Sequence, residues 1–138
     1  MHIREFQDAD TPALLALWGE VFPYDTPHNE PSLSLRRKRA EGDGLILVAE
    51  DGGTLAGAVM GGYDGHRGWV YSLAVAPGAR RRGVGTALVR GLEALLRGRG
   101  CLKLNLQVRA DNAAVVAFYE SLGFAVEPRV SLGKVLYE

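Results

Sequence analysis

One stretch constrains this chain more than any other: Leu73-Ala74-Val75-Ala76-Pro77-Gly78-Ala79-Arg80-Arg81-Arg82-Gly83-Val84-Gly85-Thr86-Ala87-Leu88-Val89. An apolar run ends at Pro77, three arginines follow, two glycines stand two apart, and a helical pattern begins at once. Such a strand–turn–helix unit forms an anion cradle at its bend. Missing side chains at Gly83 and Gly85 let a phosphate approach the backbone, while free N–H groups and the helix dipole point at it. Three arginines before a helix N-terminus oppose its dipole unless an anion arrives, so the alternative is a merely solvated turn. The spacing Arg80-x-x-Gly83-x-Gly85 is neither the GxxxxGK[ST] of nucleotide triphosphatases nor the GxGxxG of dinucleotide folds.

Length and charge bound the function classes. A chain of 138 residues with 47% hydrophobic content makes one domain, residues 1–138, with a single core. Formal net charge is zero, so bulk electrostatics gives no reason to expect nucleic acid or a membrane as partner. The single cysteine, Cys101, allows neither an internal disulfide nor a Cys-rich metal site, and no metal is expected. No apolar run reaches membrane-spanning length, and Met1-His2-Ile3-Arg4-Glu5 starts no signal peptide, which predicts a soluble cytoplasmic protein.

Along the chain, strands are expected at Ile3–Phe6, Leu45–Ala49, Thr54–Tyr63, Trp69–Val75, Leu102–Val108 and Val130–Tyr137. Thr11 with Pro12 behind it opens a helix along Leu14, Leu15, Leu17, Trp18 and Val21, and Ser32 or Ser34 caps a short basic helix ending near Gly42. Pro23, Pro27 and Pro31 make residues 23–31 an irregular loop. Further helices run from Gly83 to about Arg97 and from Asn112 to Leu122. Early bunched strands followed by βαβ alternation predict an α/β fold, a mixed sheet with helices on both faces.

Arg80-x-x-Gly83-x-Gly85 resembles the pyrophosphate-binding motif of the GNAT superfamily of acetyl-CoA-dependent N-acetyltransferases. Asn112-Ala113-Ala114-Val115-Val116-Ala117-Phe118-Tyr119-Glu120-Ser121-Leu122-Gly123-Phe124 resembles the superfamily's other signature. The resemblance spans roughly residues 3 to 137 and implies the family's acyl-CoA N-acyltransferase fold, with a central, mostly antiparallel sheet of about six or seven strands. Val59 to Gly68 and Ser131 to Lys134 are similar to the small bacterial YpeA-like acetyltransferases within that family. It implies that the backbone of Leu73, Ala74 and Val75 pairs with the pantetheine arm as an added strand would. A N–H near Leu73 then donates to the acetyl oxygen. The same resemblance implies Arg80 and the backbone of Arg81, Arg82, Gly83, Val84, Gly85 and Thr86 as the pyrophosphate cradle, and Asn112 as a further cofactor contact. Tyr119 matches the residue family members use as general acid toward the leaving thiolate. From periodicity alone Tyr119 reads equally as a core aromatic beside Val116, Phe118 and Leu122.

The general base is where the pattern fails. Many relatives place a carboxylate two residues before the Leu73 position, where this chain has Tyr71. Others have Glu before the Val-Arg of the next strand, where this chain has Gln107. That leaves Asp64, His66, Glu50, Asp25, His28 and Glu30, acting through water, against ordinary turn or loop roles for Asp64, His66 and His28. His2, Cys101 and the basic run Arg36 to Arg39 read as structural or solvated, although Arg36 to Arg39 would border the acceptor side. Trp18, Phe22, Tyr24, Trp69 and Tyr71 read as core more than pocket. Three functions follow: N-acetylation of a small-molecule amine, the same chemistry on a protein or peptide amine, or a non-catalytic acyl-CoA-binding module. Partners are acetyl-CoA and an amine acceptor, and a homodimer is left open.

Overall fold

The computed structural model describes residues 1–23 and 26–137. Tyr24 and Asp25, named above as an aromatic and a candidate base, lie outside the described residues. The chain divides into two compact units, Met1–Leu106 and Gln107–Glu138.

The first unit holds β1 (His2–Glu5), α1 (Thr11–Val21), α2 (Pro31–Glu41), β2 (Ile46–Asp51), β3 (Thr54–Tyr63), β4 (Gly68–Val75), α3 (Val84–Gly98) and β5 (Leu104–Asn105). The strands form one sheet in the order β1-β2-β3-β4-β5. The first three pairings are antiparallel and β4–β5 is parallel. The unbroken apolar run Leu45 to Ala49 is buried on both faces of this sheet, which is why it lacks a polar alternation. Leu45, Leu47 and Ala49 meet Val84, Leu88, Leu92 and Leu96, the four-residue stripe of α3. Ile46 and Val48 meet Leu14, Leu17 and Trp18 of α1 and Leu35 of α2. Helices therefore cover both faces, as the sequence predicts.

Helix starts differ from expectation for local reasons. Asp8–Asp10 forms a 3-10 turn that runs directly into α1, so Thr11 already has helical angles and its Oγ1 donates to Asp8 O at 2.8 Å. At α2 the cap is Glu30 rather than Ser32 or Ser34. Pro31 has no N–H, so the first donors are Ser32 N and Leu33 N, and both reach the Glu30 carboxylate at 3.1 and 2.9 Å. Within the expected irregular loop, Pro27–Asn29 forms one 3-10 turn.

Two irregularities shape the sheet. On β3, Ala49 faces Gly57 but Glu50 faces Leu55, so Ala56 is an extra residue. On β4, Ala58 faces Ala74 but Met60 faces Tyr71, so Ser72 and Leu73 both stand opposite Val59. Ser72 adopts a left-handed φ of 50° there. This bulge reverses which face later residues address: Val70 packs with α3, while Ala74 packs with α1 and α2.

In the second unit α4 spans Ala113–Ser121, and Asn112 caps it by accepting from Val115 N at 3.2 Å. Two strand expectations are corrected. The strand over 102–108 is reduced to Leu104–Asn105, because its ladder with β4 consists of two residue pairs. Residues 130–137 form no strand: no ladder partner meets them among the described residues, and Val130, Leu132 and Leu136 stay exposed despite their alternating pattern. Among the described residues the sheet accordingly has five strands rather than six or seven.

Candidate active site

The β4 edge beyond Trp69 is the first part of the site. Ala76 N donates to Ala56 O at 2.8 Å, while Gly68 N donates to Lys103 O at 2.9 Å on the opposite side. Residues 69, 71, 74 and 76 thus turn their backbone groups toward β3, and 68 and 70 toward β5. After the bulge, Leu73 and Val75 take that second direction. The β4–β5 ladder ends at Trp69 and Asn105, so the N–H and C=O of Leu73 and Val75 face an edge with no strand partner among the described residues. An open strand edge offers an extended ligand the hydrogen bonds of an added strand.

The turn into α3 is the second part. Arg81 has φ 64° and Gly83 has φ 76°, so two left-handed residues flank Arg82. A Cβ on Gly83 would meet nothing within 4 Å, which makes its glycine requirement one of backbone conformation. Among the described residues no side chain caps α3, and its first turn carries no acidic residue. Ala87 N is the first amide to bond, to Gly83 O at 3.0 Å, leaving Val84, Gly85 and Thr86 N–H without acceptors among the described residues. Arg80, Arg81 and Arg82 are all exposed, and Arg82 pairs with Asp51 in the β2–β3 turn, a contact that no sequence motif signals. The turn combines donors without acceptors, a positive dipole end and guanidinium groups, a combination suited to a phosphate.

On α4, Tyr119 is 7% exposed and packs edge-to-face on Phe118 at 5.1 Å and on Phe124 at 5.4 Å. Burial pushes its hydroxyl pKa up to about 12, so the phenol stays protonated through any ordinary assay range. The ring therefore has the packing role that periodicity allows. Asn112 is exposed; its Oδ1 is committed to the helix cap, while its amide NH2 makes no hydrogen bond among the described residues.

The carboxylate candidates Asp64, Glu30 and Glu50 are engaged. Asp64 Oδ1 accepts from Arg67 N and His66 N, both at 2.8 Å, and these bonds hold its carboxyl below the usual range. Glu30 is lowered by Ser32 Oγ and by the backbone N–H groups of Leu33 and Ser32 that it caps. Glu50 accepts from Arg4, whose guanidinium also grips Asp10 at two points of 2.8 Å. His66 and His28 are exposed turn residues. The Gln107 amide donates to Ser131 Oγ. Tyr71 stacks beside Trp69, with ring centroids 6.4 Å apart, and remains 46% exposed. Burial and then the Asp64 charge raise its pKa. Trp18 is core, its Nε1 buried without a partner among the described residues, and Phe22 is half-buried against the same cluster. Half the basic run is structural: Lys38 pairs with Asp43 at 2.7 Å, and Arg39 pairs with Asp8 at 2.6 Å and lies over Phe6.

Among the described residues, no group of three His, Cys, Asp or Glu could hold a metal, and no helix is long and apolar enough to cross a membrane.

Known proteins share this architecture. The model of the acetyltransferase (GNAT) family matches residues 11–124. The chain is 46% identical over 136 residues to an acetyltransferase of Yersinia pestis (strain Pestoides F), covering 99% of this chain and 96% of the relative. The solved structure of Ard1 from Thermoplasma volcanium matches with a TM-score of 0.80 at 28% identity, over 91% of this chain and 83% of that one. The ribosomal-protein-alanine N-acetyltransferase from Brucella melitensis matches with a TM-score of 0.74 at 29% identity, over 89% and 83%. The chain belongs to the GNAT family and is an N-acetyltransferase, an enzyme of the class that takes its acetyl group from acetyl-CoA.

Proposed function

We propose that this enzyme, acting as one domain, transfers acetyl from acetyl-CoA to the primary amine of a small molecule by direct attack in a ternary complex. The observation that carries this reading is the pairing of an open β4 edge at Leu73 and Val75 with the acceptor-free amides of Val84, Gly85 and Thr86. Leu73 and Val75 hold the amide-bearing pantetheine arm as an added strand, with Ala74 between them bonded to β3. Leu73 N–H donates to the acetyl oxygen and stabilises the negative charge that develops there. Arg80 and Arg81 with the α3 amides hold the pyrophosphate, and the Asn112 NH2 group contacts the arm. Tyr119 gives its proton to the departing sulfur. With no carboxylate at Tyr71 or Gln107, the acceptor ammonium loses its proton to water or to a weak, solvent-connected group.

A second reading, acetylation of a protein or peptide α-amine, is favoured by the likeness to the Brucella ribosomal-protein-alanine enzyme at 29% identity. Gln107 in place of a glutamate counts against that subtype. Release of free CoA thiol from acetyl-CoA, followed across small amines and across peptides with a free N-terminus, separates the two. Turnover with small amines at least tenfold above peptides supports the first reading, and the reverse order installs the second. No turnover with either removes both.

A further inference from the structure

The β2–β3 turn carries Asp51-Gly52-Gly53, with Gly52 at φ 59° and Gly53 at φ 81°. Successive left-handed residues between antiparallel strands make a tight hairpin turn, and Asp51 sits in register with Thr54 at its base. Asp51 is therefore a carboxylate on a fixed post. It takes Arg82, the residue between left-handed Arg81 and Gly83. A left-handed φ disfavours arginine sterically, so the bend at Arg81 needs an external hold. Directly after it stand the free amides of Val84, Gly85 and Thr86. Arg80 and Arg81 make no ion pair among the described residues, so Asp51 engages one arginine of three and leaves two for an anion.

We propose that Asp51 is a positioning residue for the pyrophosphate of the cosubstrate: by anchoring Arg82 it holds the turn in the shape that presents the α3 amides. The inference rests on the acetyl-CoA reading above. Binding is strengthened because the turn is ordered before the ligand arrives. The pair is half-exposed, which limits the effect to a small multiple.

The test uses the full chain, CoA in calorimetric titration, and acetyl-CoA against S-acetyl-pantetheine in turnover; the last lacks the pyrophosphate. Asp51→Asn is expected to raise the CoA Kd about two- to fivefold. The acetyl-CoA KM rises with it, while kcat and the KM for S-acetyl-pantetheine hold. Asp51→Glu keeps the charge and recovers most of the loss. In an Arg82→Gln background, Asp51→Asn adds nothing further, because the two act as one unit. Unchanged or tighter CoA binding by Asp51→Asn overturns the proposal, the tighter case meaning that Asp51 competes with phosphate for Arg82. An equal loss with S-acetyl-pantetheine overturns it too, since a general loosening would act on both donors. Failure of the wild-type protein to bind CoA is a separate outcome that removes the cosubstrate reading itself.

Discussion

Gly57 of β3 lies so close to Ala74 of β4 that a Cβ on it would come 2.8 Å from the Ala74 carbonyl oxygen, with Val84 Cγ1 at 2.9 Å. The same glycine thus lets two strands and the first turn of α3 close up beside the candidate site. Gly57→Ala should destabilise the fold by about 1–3 kcal/mol, because the backbone oxygen cannot yield as a side-chain tip would. Gly19→Ala, in α1 with nothing within 4 Å, should instead gain about 0.5–1 kcal/mol. Chemical denaturation of the two variants checks both signs.

At Gly83 the glycine is required for its φ of 76°, with open space where a Cβ would stand. Gly83→Val must leave the left-handed region or bear the strain, at about 1–2 kcal/mol, and the α3 amides reorient with it. CoA affinity should fall more than tenfold, while Gly83→Asn, which tolerates that region, keeps most of it. Calorimetric titration at matched folded fractions reads the difference, and wild-type affinity in Gly83→Val would discredit the cradle.

Much of this was legible in the residues. The stripe Val84, Leu88, Leu92, Leu96 and the two-glycine turn before β3 announce α3 and the β2–β3 hairpin, because spacing and turn chemistry are local. The Asn112 cap is legible for the same reason. The β4 bulge is not: Ser72 has no property that marks a left-handed φ, and the irregularity arises from pairing with β3. Asp51 is likewise invisible, since its partner Arg82 lies 31 residues away. At residues 130–137 the alternation is present but a strand exists only where a partner edge receives it, so local pattern alone misleads.

Tyr119→Phe keeps the ring that packs on Phe118 and Phe124 and removes only the hydroxyl. Turnover should drop about 10²–10⁴-fold with CoA affinity retained. Its pKa, raised by burial to about 12 against an ordinary value of 10, also has a stability consequence. The neutral phenol favours the folded state, so that contribution is complete below pH 10 and is lost as pH climbs toward 12. The parent enzyme should show no alkaline fall in kcat up to pH 10, and its extra loss of stability above pH 10 should disappear in Tyr119→Phe. Parent-rate turnover by the variant would leave Tyr119 a packing residue.

Asp64 and Glu30 are held below the usual carboxylate range by the N–H and hydroxyl donors around them, which makes both poor bases near neutrality. kcat/KM should therefore climb through pH 8 to 9 with the acceptor amine's own ionisation. Amines of pKa near 8 should outperform alkyl amines near 10 when binding is comparable. A plateau from about pH 6.5 would reveal a base, with His66 the first position to replace.

Two sets of backbone amides form the candidate cosubstrate site, and amide NMR reports on them one by one. CoA titrated into 15N-labelled protein should move Leu73, Val75, Val84, Gly85 and Thr86 with a common dissociation constant, with much smaller shifts at Ala74 and Ala76, whose backbone groups face β3. Saturable CoA binding that leaves Leu73, Val75 and the α3 amides unmoved would place the cosubstrate elsewhere on the protein and contradict the proposed site.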